Sequence, residues 1–372
     1  MIFQVFLIAI IVLGVVIFAE GFSNRRLKKI SIKREVFPQK VTAGDKFNIR
    51  LSIENKNKCY IPFLIIEEVL PKKLTMLDES GDVAEGVKHV SRYSVKKFQR
   101  KIRTYTLIAN NRGVYNIKNL KITLADHLGL SMESKSILDF VEMIVYPKVK
   151  KLSEYKFDST NSQGDTIVKR WIYKDPIYTR GIREYCVEDR MKDIHWKSSL
   201  KANKLMVKEY DYTSSEKLVL ILCCQSSNQF WESVNEDTTE NIIDLAVSVG
   251  ARASKDGVEV GIWSNSQLIY INERGSNEVE PTRGNFNRIL EYCARISYGI
   301  KCDFDVYIES KINKFQLDHS YVLITPYLSK KGQKIFSSLA MKGYKIKLID
   351  VSPKGDVPFI KGIEKIIYKG RN

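Results

Sequence analysis

The sequence predicts a multi-domain fold: an N-terminal transmembrane helix, an all-β sandwich domain and an α/β open-sheet domain. Three observations predict it. The chain opens on an apolar run, Met1 to Ala19, interrupted only by Gln4. From Lys28 to residue 150, short alternating runs are separated by turn residues without a helix-period stretch. From Lys217 onward, apolar strands alternate with amphipathic runs of helix length. A length of 372 residues suits two domains plus a tether better than one small core.

At about 1.5 Å per residue the first run crosses roughly 30 Å of hydrocarbon, so residues 1–22 are assigned as a single transmembrane helix. No Lys or Arg precedes it, whereas Arg25, Arg26, Lys28 and Lys29 follow at once. The positive-inside rule then puts the bulk of the chain on the cytoplasmic side of the plasma membrane, with its N-terminus outside. A cleaved signal peptide is the competing reading. It needs a basic leading region and a small-x-small cleavage site, which the uncharged start and Phe18-Ala19-Glu20-Gly21 do not supply.

Residues 28–150 form the β-sandwich domain. Phe47 to Ile53 alternates with strict period two, and Phe63 to Leu70 and Arg103 to Ala109 are also rich in β-formers. Pro62 precedes the second run, where a missing backbone donor does least harm to a sheet. Asn110-Asn111-Arg112-Gly113 reads as a turn before a single strand from Val114 to Leu124, and Ile137 to Tyr146 reads as the last strand. His89 and His127 have no second His or Cys at ligand spacing, so neither predicts a metal site.

Residues 151–217 form a charged junction segment, densest from Arg180 to Tyr210. Glu184, Glu188, Asp189 and Asp193 interleave there with Arg180, Arg183, Arg190 and Lys192, a composition that predicts a pairing network with bidentate Arg–carboxylate contacts. Asp193 is placed as the N-cap of a short helix, with Trp196 burying its ring against the following domain. A catalytic reading makes Cys186 a nucleophile with His195 as base, or Asp189 and His195 an acid–base pair. Such pairs are recognised by geometry, which the sequence does not give.

Residues 218–372 form the α/β domain. Lys217 to Cys224 is a continuous apolar strand of the kind buried on both faces of a parallel sheet. Thr238 to Ser254, Asn285 to Ile296 and Lys330 to Met341 read as helices; Val258 to Trp263, Leu268 to Ile271, Tyr321 to Thr325 and Lys345 to Val351 read as strands. No Gly-rich dinucleotide fingerprint or P-loop is present, which leaves nucleotide binding unsupported.

The positions Arg183, Tyr185, Asp189, Arg190, Ile194, Trp196, Ser199 and the tail Leu205-Met206-Val207-Lys208-Glu209 resemble the core pattern of the bacterial "domain of unknown function 58" family, with Glu188 standing where that pattern has a glycine before the aspartate. His195 falls where that pattern is open. Arg112-Gly113-Val114-Tyr115 and Asp126-His127-Leu128-Gly129-Leu130 are similar to two further elements of the family, and both read equally as turn chemistry. The resemblance implies a von Willebrand factor A-like C-terminal domain, which commonly holds Mg²⁺ through an Asp-x-Ser-x-Ser loop after its first strand and an Asp after a later one. Here those strand ends carry Cys224 with Ser226, and Pro326. Hydroxyls without carboxylates bind a hard cation weakly, so a degenerate, metal-free domain without cofactor is expected. The resemblance also implies a membrane-side, non-catalytic adaptor that works with a MoxR-type AAA ATPase in assembly or maturation of protein complexes.

The formal charge of +17 implies attraction to polyanions, whether an anionic leaflet, acidic proteins or nucleic acid. No recognition-helix or RNA-binding pattern accompanies the charge, which makes nucleic acid the weakest of the three. The cysteines Cys59, Cys186, Cys223, Cys224, Cys293 and Cys302 show no disulfide spacing and no C-x-x-C pair, consistent with free thiols in a reducing compartment.

Overall fold

The computed structural model describes residues 27–77, 83–84, 88–118, 120–125, 132–158, 179–186, 189, 191–210, 217–229, 231, 235–270 and 278–371. The expected span at 1–22 and the turn at 126–130 lie outside these residues. Among the described residues, no helix is long and apolar enough to cross a membrane. The chain divides into two compact units, Met1–Lys148 and Val149–Asn372.

The first unit is a β-sandwich in which one layer is a five-stranded sheet and the opposing layer is split between two smaller ones. β1 (Ile30–Phe37), β2 (Lys40–Thr42), β3 (Lys46–Asn55), β4 (Ile61–Val69), β5 (Leu74–Leu77), β6 (Val83–Ala84), β7 (Lys88–Val95), β8 (Arg100–Ala109), β9 (Gly113–Ile117), β10 (Leu120–Ala125), β11 (Met132–Ile137) and β12 (Val141–Tyr146) follow in order. The five-stranded sheet runs β1-β3-β8-β5-β6, the four-stranded one β11-β10-β4-β7 and the three-stranded one β2-β12-β9. Alternation in β3 buries Phe47, Ile49, Leu51 and Ile53, and these split between a cluster with Tyr115 and Met143 and a cluster with Leu64 and Ile122.

Two expected strands are each broken in two. The run read as Val114 to Leu124 stops at Ile117 and resumes at Leu120 in another sheet; the run read as Ile137 to Tyr146 ends β11 at Ile137 and restarts as β12 at Val141. The cause is a buried charge. Arg34 on β1 projects inward with no side-chain exposure, and its Nη2 donates to Ile117 O at 3.2 Å and Asp139 O at 2.9 Å, the two carbonyls at the breaks. Nη1 donates to Glu68 Oε1 at 3.3 Å, and Tyr105 Oη donates to Glu68 Oε2 at 2.6 Å. Nε lies 3.2 Å from Asp139 Oδ2, near enough for charge attraction without hydrogen-bond alignment. Burial, reinforced by the Glu68 charge, pushes the Tyr105 hydroxyl well above the ordinary tyrosine range. The Arg112–Tyr115 element is turn chemistry: Gly113 holds a positive φ of 150° and Tyr115 Oη donates to Asn111 O at 2.7 Å.

In the second unit, β13 (Tyr155–Asp158), β14 (Thr179–Glu184), α1 (Trp196–Ala202), β15 (Met206–Tyr210), β16 (Lys217–Leu222), α2 (Glu236–Lys255), β17 (Glu259–Ser264), β18 (Ser266–Leu268), β19 (Glu278–Thr282), α3 (Phe286–Arg295), β20 (Ile296–Ile300), α4 (Phe304–Lys311), β21 (His319–Thr325), α5 (Lys330–Met341), β22 (Lys345–Asp350) and β23 (Glu364–Arg371) build a mixed α/β sheet and two short ribbons. The seven-stranded sheet runs β13-β23-β22-β21-β16-β17-β19. β16, β17, β21, β22 and β23 pair in parallel, with antiparallel β13 and β19 at the edges. β13 therefore gives the segment read as a junction a place in the sheet. Both faces are covered: Leu218, Leu220 and Leu222 pack with α2 and α3, while Val219 and Ile221 pack with Trp263, Tyr321 and α4 and α5. Asn235 caps α2 by accepting from Thr238 N at 3.0 Å, acidic residues sit in its first turn and Arg252 and Lys255 in its last. Gly261 is needed on β17, since a Cβ there would sit 2.8 Å from Val279 O and 2.9 Å from Pro281 on the edge strand β19.

At the end of β22, Asp350 is fully buried. Its Oδ1 accepts from Ser352 N and Oγ at 2.9 and 2.6 Å, and Oδ2 accepts from Val357 N at 3.0 Å. Lys365 Nζ on β23 lies 2.8 Å from Oδ2 and donates to Gly355 O at 2.8 Å. Breaking such a pair strands one charge in the interior. Lys365→Met is expected to cost about 3–5 kcal/mol in urea unfolding, and Asp350→Asn with Lys365→Met less than the two separate losses added together. A single substitution within about 1 kcal/mol of the parent would show that the pair behaves like an exposed one.

Candidate functional site

Two places gather the residues singled out by sequence. The first is the ribbon of β14 and β15, with Ile182 opposite Lys208, Arg183 opposite Val207 and Glu184 opposite Met206. The excursion between its strands is stitched back by polar contacts. Arg183 Nη1 and Nη2 fork onto Asp189 Oδ2 and Oδ1 at 2.6 and 2.5 Å, and Cys186 N donates to Asp189 Oδ2 at 2.7 Å. The Arg183 fork, aided by the Cys186 amide, holds the Asp189 carboxyl below its ordinary range. Lys204 pairs with exposed Glu184 at 3.0 Å. Tyr185 N donates to Leu205 O at 2.9 Å.

Ile194 is buried and bridges to Val207, while His195 N donates to Met206 O at 2.8 Å. Ser199 closes the unit: its Oγ accepts from Met206 N at 2.8 Å and donates to His195 O at 3.1 Å. A larger residue would push α1 off the ribbon, which accounts for a small side chain there. Lys208 is half-buried on β15, and Glu209 continues the strand opposite Gly181. Arg190 and Glu188 lie outside the described residues.

Two expectations are corrected here. The N-cap of α1 is His195, whose Nδ1 accepts from Ser198 N at 3.1 Å, and Asp193 instead ends a preceding turn. A cap two residues later makes Trp196 the first helical residue, and its ring is 61% exposed rather than packed on a neighbouring domain. Both Asp189 oxygens accept from Arg183, and His195 Nδ1 accepts from Ser198 N at the cap.

The second place is the C-terminal edge of the parallel sheet at β16. Chain order runs from β16 to β17 on one side and to β21, β22 and β23 on the other, which makes β16 the switch point where open α/β sheets leave a crevice. Cys224, Ser226 and Pro326 all fall at this edge, because β16 and β21 pair in register from Lys217↔His319 to Leu222↔Ile324. Cys224 N donates to Asn265 Oδ1 at 3.1 Å. Cys223 turns into the opposite core, where burial pushes its thiol far above the usual cysteine range.

Sequence reasoning missed the residues that organise this edge. Gln225 is buried; its Oε1 accepts from Phe304 N at 3.0 Å and its Nε2 donates to Ser227 O at 2.9 Å and Asp303 Oδ2 at 3.3 Å. Asp303 caps α4 by accepting from Asp305 N at 2.9 Å, and Asp305 Oδ2 accepts from Ser329 Oγ at 2.5 Å. Burial raises the Asp305 carboxyl and the nearby Asp303 charge adds to it, against the Ser329 hydrogen bond. Asp303-Phe304-Asp305 before a helix was the available signal. Among the described residues, no group of three His, Cys, Asp or Glu is arranged to hold a metal ion.

Residues 181–281 match the family model described as "Protein of unknown function DUF58", from the β14 ribbon through β19. This stretch is similar to the DUF58 family. The chain is 24% identical over 230 residues to uncharacterized protein YeaD of Bacillus subtilis (strain 168), a match covering 61% of this chain. It spans 55% of that relative's length. Among solved structures it is similar over 32% of its length to the CARDB domain of the PF1109 protein from Pyrococcus furiosus (10% identity, 94% of that chain, TM-score 0.22). A like share resembles trypsin-activated alpha-2-macroglobulin from Escherichia coli (14% identity, 10% of that chain, TM-score 0.26). Likenesses this weak carry no argument.

The Arg183–Asp189 fork sets a pH dependence with a definite sign. A depressed carboxyl contributes stability that is present above its unfolded value, about 3.9, and is lost as pH falls through the lower folded value. Hydrogen exchange at the Cys186 amide is therefore expected to stay slow as pH drops through the ordinary aspartate range and to accelerate only below it. In Asp189→Asn it should be fast throughout. Loss of protection near the ordinary value would remove the fork as its cause.

Proposed function

We propose that this protein is a non-catalytic protein-interaction adaptor, held at the plasma membrane by a single N-terminal pass with its folded domains on the cytoplasmic side. Its α/β domain is von Willebrand A-like with a degenerate metal edge. The observation that carries this reading is Gln225. At the switch point, where a metal-binding relative needs carboxylates, a buried amide bridges Phe304 N, Ser227 O and Asp303 and satisfies the loop with protein groups. The strand ends supply Cys224 and Pro326 where carboxylates would serve a hard cation.

The engagement of Asp189 by Arg183 and of His195 by the helix cap supports the non-catalytic reading over a hydrolase built on Cys186, Asp189 and His195. The family resemblance suggests a MoxR-type AAA ATPase as partner, in assembly or maturation of protein complexes, and the +17 charge suits acidic protein surfaces better than sequence-specific nucleic acid. Two measurements test this. Adding magnesium to the full chain is expected to leave its thermal midpoint unchanged, whereas a saturating metal at a hundred times its Kd would add about 2.7 kcal/mol. Cross-linking the detergent-solubilised full chain to a MoxR-type ATPase of the same organism is expected to join the two. Magnesium-dependent stabilisation, or no cross-link with either nucleotide state, would sink the corresponding half of the reading.

A further inference from the structure

The β14–β15 ribbon ties Arg183, Asp189 and Glu184 to partners of its own and leaves an apolar ridge on α1 in solvent. Trp196 and Leu200 lie one turn apart on α1, 61% and 83% exposed, and Met191 in the turn just ahead is 65% exposed. Lys197 and Lys201 form the adjoining exposed stripe. Lys204 is tied to Glu184, but Lys197 and Lys201 make no ion pair among the described residues. An indole and a leucine exposed on one face of a short helix are the kind of apolar surface that marks an interaction site.

We propose that α1 is a membrane-contact ridge that docks on an anionic lipid surface. Trp196 and Leu200 enter the boundary between headgroups and acyl chains, and Lys197 and Lys201 pair with lipid phosphates. The side-chain types fit: an indole rests at headgroup depth, an aliphatic side chain goes deeper, and lysine stems follow apolar surface while their ammonium groups stay wet. The charge is complementary as well. Lys197 and Lys201 stand beside the apolar pair, and the excess of +17 favours approach to an anionic plane. Two large apolar side chains and two lysines make a weak contact alone, but any tether to the same bilayer turns docking into an intramolecular event.

The four tryptophans, Trp171, Trp196, Trp231 and Trp263, all lie outside residues 1–22, so quenching of indole emission by bilayer lipid reports on the rest of the chain. The full chain is reconstituted in vesicles of brominated phosphatidylcholine with or without phosphatidylglycerol, and its emission is compared with that of Trp196→Phe. Quenching is expected only in the anionic vesicles, to vanish in Trp196→Phe and to fade at high salt. Lys197→Gln with Lys201→Gln should shift the docked fraction about thirtyfold toward undocked, at about a factor of ten per 1.4 kcal/mol and one such step of roughly 1 kcal/mol for each lysine. These positions are exposed, so the variants keep the fold, which circular dichroism checks. Trp196 unquenched in both vesicle types overturns the proposal and leaves the ridge to an acidic protein. Quenching that persists in neutral vesicles and ignores the lysine changes overturns it too.

Discussion

A charge removed from water must find fixed partners, and in the sandwich that requirement falls on Arg34. Its side chain is wholly buried, and a guanidinium with five donors cannot be left half-satisfied there without a cost of several kcal/mol. The layer opposite β1 answers by interrupting its own strands. Ile117 and Asp139 release their carbonyls from the ladder at the points where the chain passes between the four-stranded and three-stranded sheets, and both turn to the guanidinium. Glu68 supplies the countercharge and is itself fixed by Tyr105 from the five-stranded sheet. The split layer and the buried pair are thus one feature: a continuous layer would deprive Nη2 of its two carbonyl acceptors. The α/β unit meets the same demand through Asp350 and Lys365, which fold the loop after β22 onto itself and bring β23 into the sheet.

What the sequence makes legible follows from what acts locally. Period-two alternation locates β3, and an unbroken apolar run locates the central strand β16. Helical spacing locates α2, and α5 runs over the residues read from it, since Ser329 supplies a cap and the apolar stripe stops at Met341. The strand ends at Ile117 and Ile137 were not legible because β-formers resume within a few residues of each, and the partner of the carbonyls there sits about eighty or more residues upstream, at Arg34. The pairing of β13 with β23 was hidden for the same reason: Phe157 finds Tyr368 across the whole domain. Pro281 in β19 is tolerated because that strand lies at an edge, a fact about the sheet rather than about the residue.

The site divides along the same line. Pattern and residue type predicted a pairing network among the interleaved charges, and the Arg183–Asp189 fork lies within it because a bidentate guanidinium–carboxylate contact over six residues is a local matter. The direction of Trp196 was not local in that sense. It depended on whether Asp193 or His195 supplied the first acceptor of α1, and a shift of two residues rotates a helical side chain by roughly 200°. At the sheet edge, sequence placed Cys224, Ser226 and Pro326 together because parallel strands in register bring their ends together. It overlooked Gln225, since a glutamine gains meaning only from the Phe304 amide and Asp303 carboxylate that a later helix brings to it.

The two places differ in what they have left to offer. At the sheet edge, amide, carboxylate and hydroxyl groups are consumed by one another: Gln225 bonds Asp303, Asp303 caps α4 and Asp305 takes the Ser329 hydroxyl. In the ribbon the consumption is just as thorough but stops at the polar residues, with Asp189 held by Arg183, Ser199 by Met206 and Glu184 by Lys204. Arg183, Asp189 and Ser199 each hold a partner within the ribbon and its excursion. The side chains this network leaves in solvent are apolar ones, Trp196, Leu200 and Met191, and the docking proposed above draws on them.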